Sequence, residues 1–519
     1  MRAVILALAG LLALASASSD RKVVCYFGSW AVYRPGRGKF DIDKIDPHLC
    51  THLVYTFVGL NEDGSVRILD PWADLPNDGG KDGFRRFNDL RLRNPGLKTM
   101  IGLGGWNEGE ANAKYSRVMA SSALRSNLVR NILNFLEEYD FDGFDLDWEY
   151  PGLSRPGGAP MDKDNLVLFL RELKEALEPK GLVLGAAVSA SSEKAEMSYH
   201  VAELSKYLDF INLMEYDFHG TWEKNTGHNS PLYSASWESK ESARVLNIHA
   251  SIQYWLSHGA APEKLILGIP FYARGFTLAN PANNGLNALS RGGSHAGPYT
   301  RQKGTLGYNE ICEHMDKWTV VFDEEQRVPY AYNGDQWISY DDECLLRVYV
   351  AKGEYMNKYG LGGMMVWSVE TDDFRGVCGE KWPLLRAVNR AVHGTVGSGP
   401  AERPPSRPPM PRPPSQPSVK PRPKPSAPVG PQEPAHKPSA PSTGSGPIVC
   451  KTSFGYLPDP NDDTVFYQCS HGEPYLMHCP ETLVWDPHYQ RCDYKHDYVP
   501  RSSYWHRCTP YSGPLADEE

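Results

Sequence analysis

The sequence predicts an α/β fold: a parallel (β/α)8 TIM barrel with an inserted α+β subdomain, followed by a small disulfide-rich β module. Three observations predict it. Eight short apolar runs alternate with helical patterns over roughly 370 residues. The gap between the last two runs is too long for one helix. A cysteine- and tyrosine-rich segment then follows a proline-rich stretch.

The apolar runs cover residues 23–28, 52–58, 98–103, 143–149, 182–189, 208–216, 265–271 and 362–368. Runs of this length, bounded by turn residues, read as strands buried on both faces. Helical periodicity lies between them, for example over residues 123–139, 163–177, 240–258 and 346–359. A doubly wound open sheet is the alternative, but Gly102-x-Gly104 matches a dinucleotide fingerprint poorly and no acidic partner follows it. Residues 276–342 read as the insertion, with strands at 318–323 and 329–332, walling one side of the barrel mouth. The barrel domain is expected over residues 22–395.

Residues 1–17 read as a secretory signal: Arg2, an apolar run too short to span a bilayer, then Ala15-Ser16-Ala17. A secreted protein with no membrane span is expected. Residues 397–447 are rich in proline and serine, contain no aromatic residue and read as a disordered linker. Extended, it reaches on the order of 100 Å or more. Residues 448–510 form the small module, which is too short for a large core and depends on disulfides. The chain has 519 residues, ten cysteines and a net charge of -9 with no basic stripe, so nucleic acid is not an expected partner.

The chemistry concentrates in Asp142-Gly-Phe-Asp145-Leu-Asp147-Trp-Glu149-Tyr150. Strand alternation puts Asp145, Asp147 and Glu149 on one face and Phe144, Leu146 and Trp148 on the other. Carboxylates crowded on a buried strand repel, so at least one holds a proton near neutral pH and can donate it. A solvent-facing acidic edge or a divalent-metal site is the bland alternative; the bulky apolar face argues for burial. Active sites of such barrels lie at the C-terminal strand ends. Those ends carry Tyr26, Trp30, Gly105, Trp106, Asn107, Tyr150, Met214, Tyr216, Asp217, Tyr272, Arg274 and Trp367. Aromatic rings stack on sugar rings, and carboxylates and Arg bond hydroxyls and amides.

With Gly104-Gly105-Trp106, Met214-x-Tyr216-Asp217-Phe-His-Gly220 and Gly362-Gly363-Met-Met-Val-Trp367, the acidic run resembles the motifs of glycoside hydrolase family 18, the chitinases, over about residues 22–393. The resemblance implies endo-cleavage of β-1,4 bonds in N-acetylglucosamine polymers, with retention and no cofactor or metal. The substrate's own acetamido oxygen is the nucleophile in this family. By analogy Glu149 is acid and base, Asp147 orients the acetamido group, Asp145 shares a proton with Asp147, and Tyr216 bonds the acetyl oxygen. Trp367 floors the cleavage point; Met214, Asp217, Tyr272 and Arg274 complete the pocket; Trp30, Trp72, Trp106 and Trp222 extend the stacking surface. A non-catalytic chitin-binding lectin or a chitin-organising protein is the rival, but members that lose catalysis typically replace the last acid, which is intact here. Analogy also pairs Cys25 with Cys50 and Cys312 with Cys378.

Two departures stand out. Gly102 is often Ser in the family. Glu215 replaces a small residue and by alternation points toward the helix layer, where it needs a basic or hydrogen-bonding partner. Cys344 is left unpaired. The tail, with Cys469, Cys479-Pro480, Trp485-Asp-Pro487 and Cys492, resembles the peritrophin-A type chitin-binding module, implying Cys450–Cys469 and Cys479–Cys492 pairs and leaving Cys508 over. Tyr456, Tyr467, Tyr475 and Trp485 are its candidate stacking residues. A monomer that binds chitin and its oligomers is expected.

Overall fold

The computed structural model describes residues 21–109, 112–153, 157–342 and 347–394, and most of 454–494. The expected signal and linker lie outside them. The chain divides into two compact units, Met1–Arg407 and Pro408–Glu519.

The first unit is a closed barrel of eight parallel strands. They are β1 (Lys22–Gly28), β2 (His52–Leu60), β3 (Lys98–Gly104), β4 (Gly143–Asp147), β5 (Val183–Ser189), β6 (Phe210–Met214), β7 (Leu265–Pro270) and β8 (Gly363–Trp367). Each strand pairs with its neighbours in sequence order, and β8 closes on β1. Val24, Tyr26, Val54, Met100, Ala187, Phe210, Ile266 and Met365 pack the interior. Burial on both faces explains why the strands read as continuous apolar runs. Two runs extend two residues past the C-terminal ends of their strands. β4 stops at Asp147, its last partner being Gly104, and β6 spans only Phe210–Met214. Glu149, Tyr216 and Asp217 therefore sit on loops just past the ladder.

Helices Ser122–Tyr139, Asp162–Leu177 and Arg347–Tyr359 match the periodic segments. The segment 240–258 instead breaks into Glu241–Arg244 and Ile248–Ser257. Asn247 adopts extended backbone between them, and its side chain caps Ala250 N–H at 2.9 Å.

Between β7 and β8 lies a six-stranded antiparallel sheet containing Tyr272–Leu278, Ser290–Gly293, Thr305–Gly307, Thr319–Asp323, Val328–Asn333 and Gln336–Ser339. It begins at Tyr272, ahead of residue 276, so Tyr272 and Arg274 stand on its first strand. Phe276, Leu278, Ala288 and Trp337 form its buried core.

Disulfides join Cys25 to Cys50 and Cys312 to Cys378, with Cα separations of 6.0 and 5.8 Å. Cys344, Cys450 and Cys508 lie outside the described residues, as do the side chains of Cys469 and Cys492. Cys479 is disulfide-bonded. In the second unit, Phe454–Pro458, Val465–Ser470 and Glu473–His478 form one antiparallel sheet, and Leu483–Asp486 pairs with Arg491–Tyr494. Of the candidate stacking residues only the Tyr467 side chain is described; its hydroxyl donates to Asp459 at 3.0 Å. No described helix is long and apolar enough to cross a membrane.

Candidate active site

Two glycines shape the mouth where β3 meets β4. Gly104 has φ +122°, and a Cβ there would lie 2.1 Å from the Asp147 carbonyl oxygen. Gly105 has φ +84°, and a Cβ there would lie 2.5 Å from the Phe57 ring. The chain crosses directly over the end of β4, with Gly105 N–H donating to the Asp147 carbonyl at 2.8 Å. Trp106 and Asn107 leave this crossing on the exposed rim.

Beneath it stand the three carboxyl groups. Asp145 is fully buried; its Oδ2 accepts the Tyr26 hydroxyl at 2.5 Å and its Oδ1 accepts Asn212 Nδ2 at 3.3 Å. Asn212 also donates to the Tyr26 oxygen at 2.9 Å. Burial pushes the Asp145 carboxyl up to about 7, with the two hydrogen bonds pulling the other way. Burial pushes Asp147 well above the carboxylate range, followed by the charges of Glu149 and Asp145. Its Oδ1 is buried with no hydrogen-bond partner among the described residues. Glu149 is partly exposed to the cleft. Burial lifts it to about 7; the Tyr150 hydrogen bond and the Lys194 charge lower it and the Asp217 charge raises it. Groups this close titrate as a set, and near neutral pH the set retains protons.

The rings gather around Trp367. Phe57 stacks on it at 5.9 Å between centroids, Tyr26 lies at 5.5 Å and Trp30 at 6.2 Å. Tyr216 meets Tyr272 edge-on at 6.0 Å, and its hydroxyl points at Met365 sulfur, 3.8 Å away. Met214 is partly buried against the interior. Asp217 is gripped from the inserted sheet: Tyr272 hydroxyl, Arg274 Nε and Arg274 Nη2 all donate to it at 2.6 Å. The Arg274 guanidinium also lies 5.4 Å from the Trp222 ring centre. Tyr150 lies under the Lys194 ammonium at 5.0 Å.

The structure thus joins Tyr26, Trp30, Asp145, Asp147, Glu149, Asp217, Tyr216, Tyr272, Arg274 and Trp367 through direct contacts or mutual electrostatic influence. Trp106 and Trp222 are 68% and 57% exposed, and Arg274 covers part of the Trp222 ring. Trp72 packs on Tyr33 at 5.7 Å rather than on the other expected rings. Sequence reasoning missed Phe57 and Asn212. Alternation could have found Asn212, two residues before Met214; Phe57 looked like one more strand residue. Glu215 is fully buried and finds a hydrogen-bonding partner: its Oε2 accepts the N–H of Gly268 on β7 at 3.2 Å.

Comparisons with known proteins agree with this geometry. Residues 22–372 match the family described as Glycosyl hydrolases family 18, and residues 450–500 match the Chitin binding Peritrophin-A domain. The chain is 41% identical to Endochitinase of Manduca sexta, covering 75% of this chain and 71% of that protein. It is 40% identical to Probable chitinase 10 of Drosophila melanogaster over 92% of this chain, but spans only 20% of that protein's length. The Group IV chitinase of Ostrinia furnacalis, solved in complex with allosamidin, is 44% identical with a TM-score of 0.69, over 73% of this chain and 100% of that one. Human YKL-39, described as a pseudo-chitinase with retained chitooligosaccharide binding properties, is 35% identical with a TM-score of 0.65, over 72% of this chain and 99% of that one. The chain belongs to glycosyl hydrolases family 18.

Proposed function

We propose that this protein is a secreted endochitinase that hydrolyses β-1,4 bonds between N-acetylglucosamine units with retention, the sugar's own acetamido group serving as nucleophile. The observation that carries the reading is the pairing of Glu149, partly exposed and lifted to about 7, with buried Asp147, whose Oδ1 is unpartnered. One is a carboxylic acid able to give a proton at neutral pH; the other is an acceptor waiting for a donor. The acetamido N–H is such a donor.

Glu149 donates its proton to the glycosidic oxygen as the bond to the anomeric carbon breaks. The acetamido carbonyl oxygen forms a new bond to that carbon from the opposite face, giving an oxazolinium ion. Asp147 passes its proton to Asp145, accepts the amide N–H and balances its positive charge. The Tyr216 hydroxyl holds the carbonyl oxygen in line. Glu149, now ionised, takes a proton from water as the water oxygen opens the ring, which restores the acid. Asp145, fixed by Tyr26 and Asn212, sets the charge that Asp147 meets from below. Trp367 with Phe57 forms the floor, and Asp217 with Arg274 bonds the sugar's polar groups. The peritrophin-A module adds affinity for solid chitin through the linker, raising local concentration without a contact at the cleft.

The test is turnover of soluble N-acetylglucosamine oligomers by the wild type and Glu149→Gln. The variant should still bind and should lose at least a hundredfold in rate; equal rates would end the assignment. Deletion after Pro447 should weaken adsorption to solid chitin and spare small oligomers, whereas unchanged adsorption would refute the anchor.

A further inference from the structure

Asn229 lies in the loop after β6, is 1% exposed and has every polar group satisfied within the protein. Its Oδ1 accepts Asp217 N–H at 2.9 Å, and its Nδ2 donates to the Tyr272 carbonyl at 3.1 Å. Its backbone carbonyl accepts Phe218 N–H at 3.1 Å, and its backbone N–H donates to Ser339 Oγ at 3.0 Å. One side chain therefore ties the segment after β6, which carries Asp217, to the first strand of the inserted sheet, which carries Tyr272 and Arg274.

Two features make this tie specific. Asp217 holds φ at 59°, a left-handed conformation that a residue other than glycine adopts only when its surroundings enforce it. Asn229 supplies the acceptor that its N–H needs in that conformation. Ser339, the anchor on the other side, stands directly opposite Arg274 in the inserted sheet. The Ser339 hydroxyl lies 3.0 Å from His228 Nδ1, and His228 Nε2 lies 3.3 Å from Asp323 Oδ2. Burial holds the His228 imidazole below its usual value, so it is neutral. A single proton arrangement then satisfies the chain: His228 Nε2–H donates to Asp323, the Ser339 hydroxyl to His228 Nδ1, and Asn229 N–H to Ser339 Oγ.

We propose that Asn229, supported by Ser339 and His228, is a positioning residue that holds Asp217 in register with Tyr272 and Arg274, so that these groups meet an N-acetylglucosamine oligomer already in place. The inference rests on the function proposed above. Among the described side chains Asn229 bonds the backbone of both substrate-facing segments, and a residue lacking either amide atom leaves Asp217 N–H or the Tyr272 carbonyl without this partner.

The test is a double-mutant cycle of Asn229→Ala with Asp217→Ala, read as KM and kcat on an N-acetylglucosamine oligomer, with Tm for each variant. Asn229→Ala should raise KM about tenfold with kcat changed much less. In the Asp217→Ala background it should add no more than about twofold, because the residue it orients is gone. If Asn229→Ala fails to fold, Ser339→Ala enters the same cycle with the same expectations. Full additivity, or an unchanged KM, would overturn the positioning role while leaving the proposed function intact. A wild type that neither binds nor cleaves the oligomer would sink the function and this inference with it.

Discussion

Tyr26 donates a 2.5 Å hydrogen bond to Asp145, joining β1 to β4 through the barrel interior. The bond stabilises the ionised form of a carboxyl that burial otherwise pushes toward neutrality. Burial, then the Asp145 and Asp147 charges, hold the Tyr26 phenol well above its ordinary value, so it stays a donor. Tyr26→Phe removes that donor and leaves Asn212 as the remaining one. Asp145 should then ionise at higher pH. The expected result is a kcat lowered about tenfold, as for the loss of a hydrogen bond to a charged group, with the acidic limb of the pH–rate profile moved upward. An unchanged limb would show that Asp145 does not govern the charge on Asp147.

Glu149 must be protonated to act as the acid. Activity should therefore be present below its raised value and lost as pH rises through about 7. Its neighbours give opposite signs. Lys194→Met removes a positive charge that lowers Glu149, so the alkaline limb should move up. Asp217→Asn removes a negative charge that raises it, so the limb should move down, whatever either variant does to the maximal rate. Shifts in the same direction in a kcat/KM profile would assign that limb to another group.

Two glycines of β3 separate space from strain. At Gly104 a methyl group would meet the Asp147 carbonyl at 2.1 Å with φ at +122°. Gly104→Ala should cost several kcal/mol and abolish activity, since the same backbone carries Asp147. At Gly102 the nearest atoms, on Phe57 and Val54, lie 3.2–3.3 Å away and φ is ordinary. Gly102→Ala should cost about 1 kcal/mol or less. Thermal unfolding of both variants checks the difference.

Glu215 is a buried acid outside the mechanism. Burial raises it from 4.5 to about 8, with the Gly268 N–H bond and the Lys352 charge opposing. Lys352, fully buried, is itself paired to Asp341 at 2.6 Å. Because the folded value exceeds the unfolded one, the folded state binds the proton more tightly. Its stabilising effect is complete below about 4.5 and is lost as pH rises through about 8. Glu215→Gln keeps an acceptor for Gly268 N–H and never ionises. Its stability relative to wild type should grow across that window by a few kcal/mol at most, on the order set by the shift. Denaturant unfolding at pH 5 and pH 9 measures it.

Much of this was legible in the sequence because a parallel barrel strand buries both faces and so writes itself as an apolar run. The same fact hid Phe57: on such a strand a floor ring looks like any core ring. Asn212 was hidden for the converse reason, since one polar residue in an apolar run has meaning only once Tyr26 and Asp145 are placed beside it. Run lengths overshot at β4 and β6 because apolarity continues past the last ladder partner, into the loops that hold Glu149 and Tyr216. Tyr272 and Arg274 read as the end of β7, whereas the chain restarts there as the first strand of the inserted sheet. Asn229 gave no signal at all, because its role is to bond backbone atoms of residues far apart in sequence.

The central claim is that the substrate's acetamido oxygen attacks the anomeric carbon while Glu149 supplies the proton. Proton NMR of the first products from an N-acetylglucosamine oligomer, recorded before mutarotation, tests it most directly. The account predicts that the new reducing ends appear in the β configuration. Their appearance in the α configuration would contradict it.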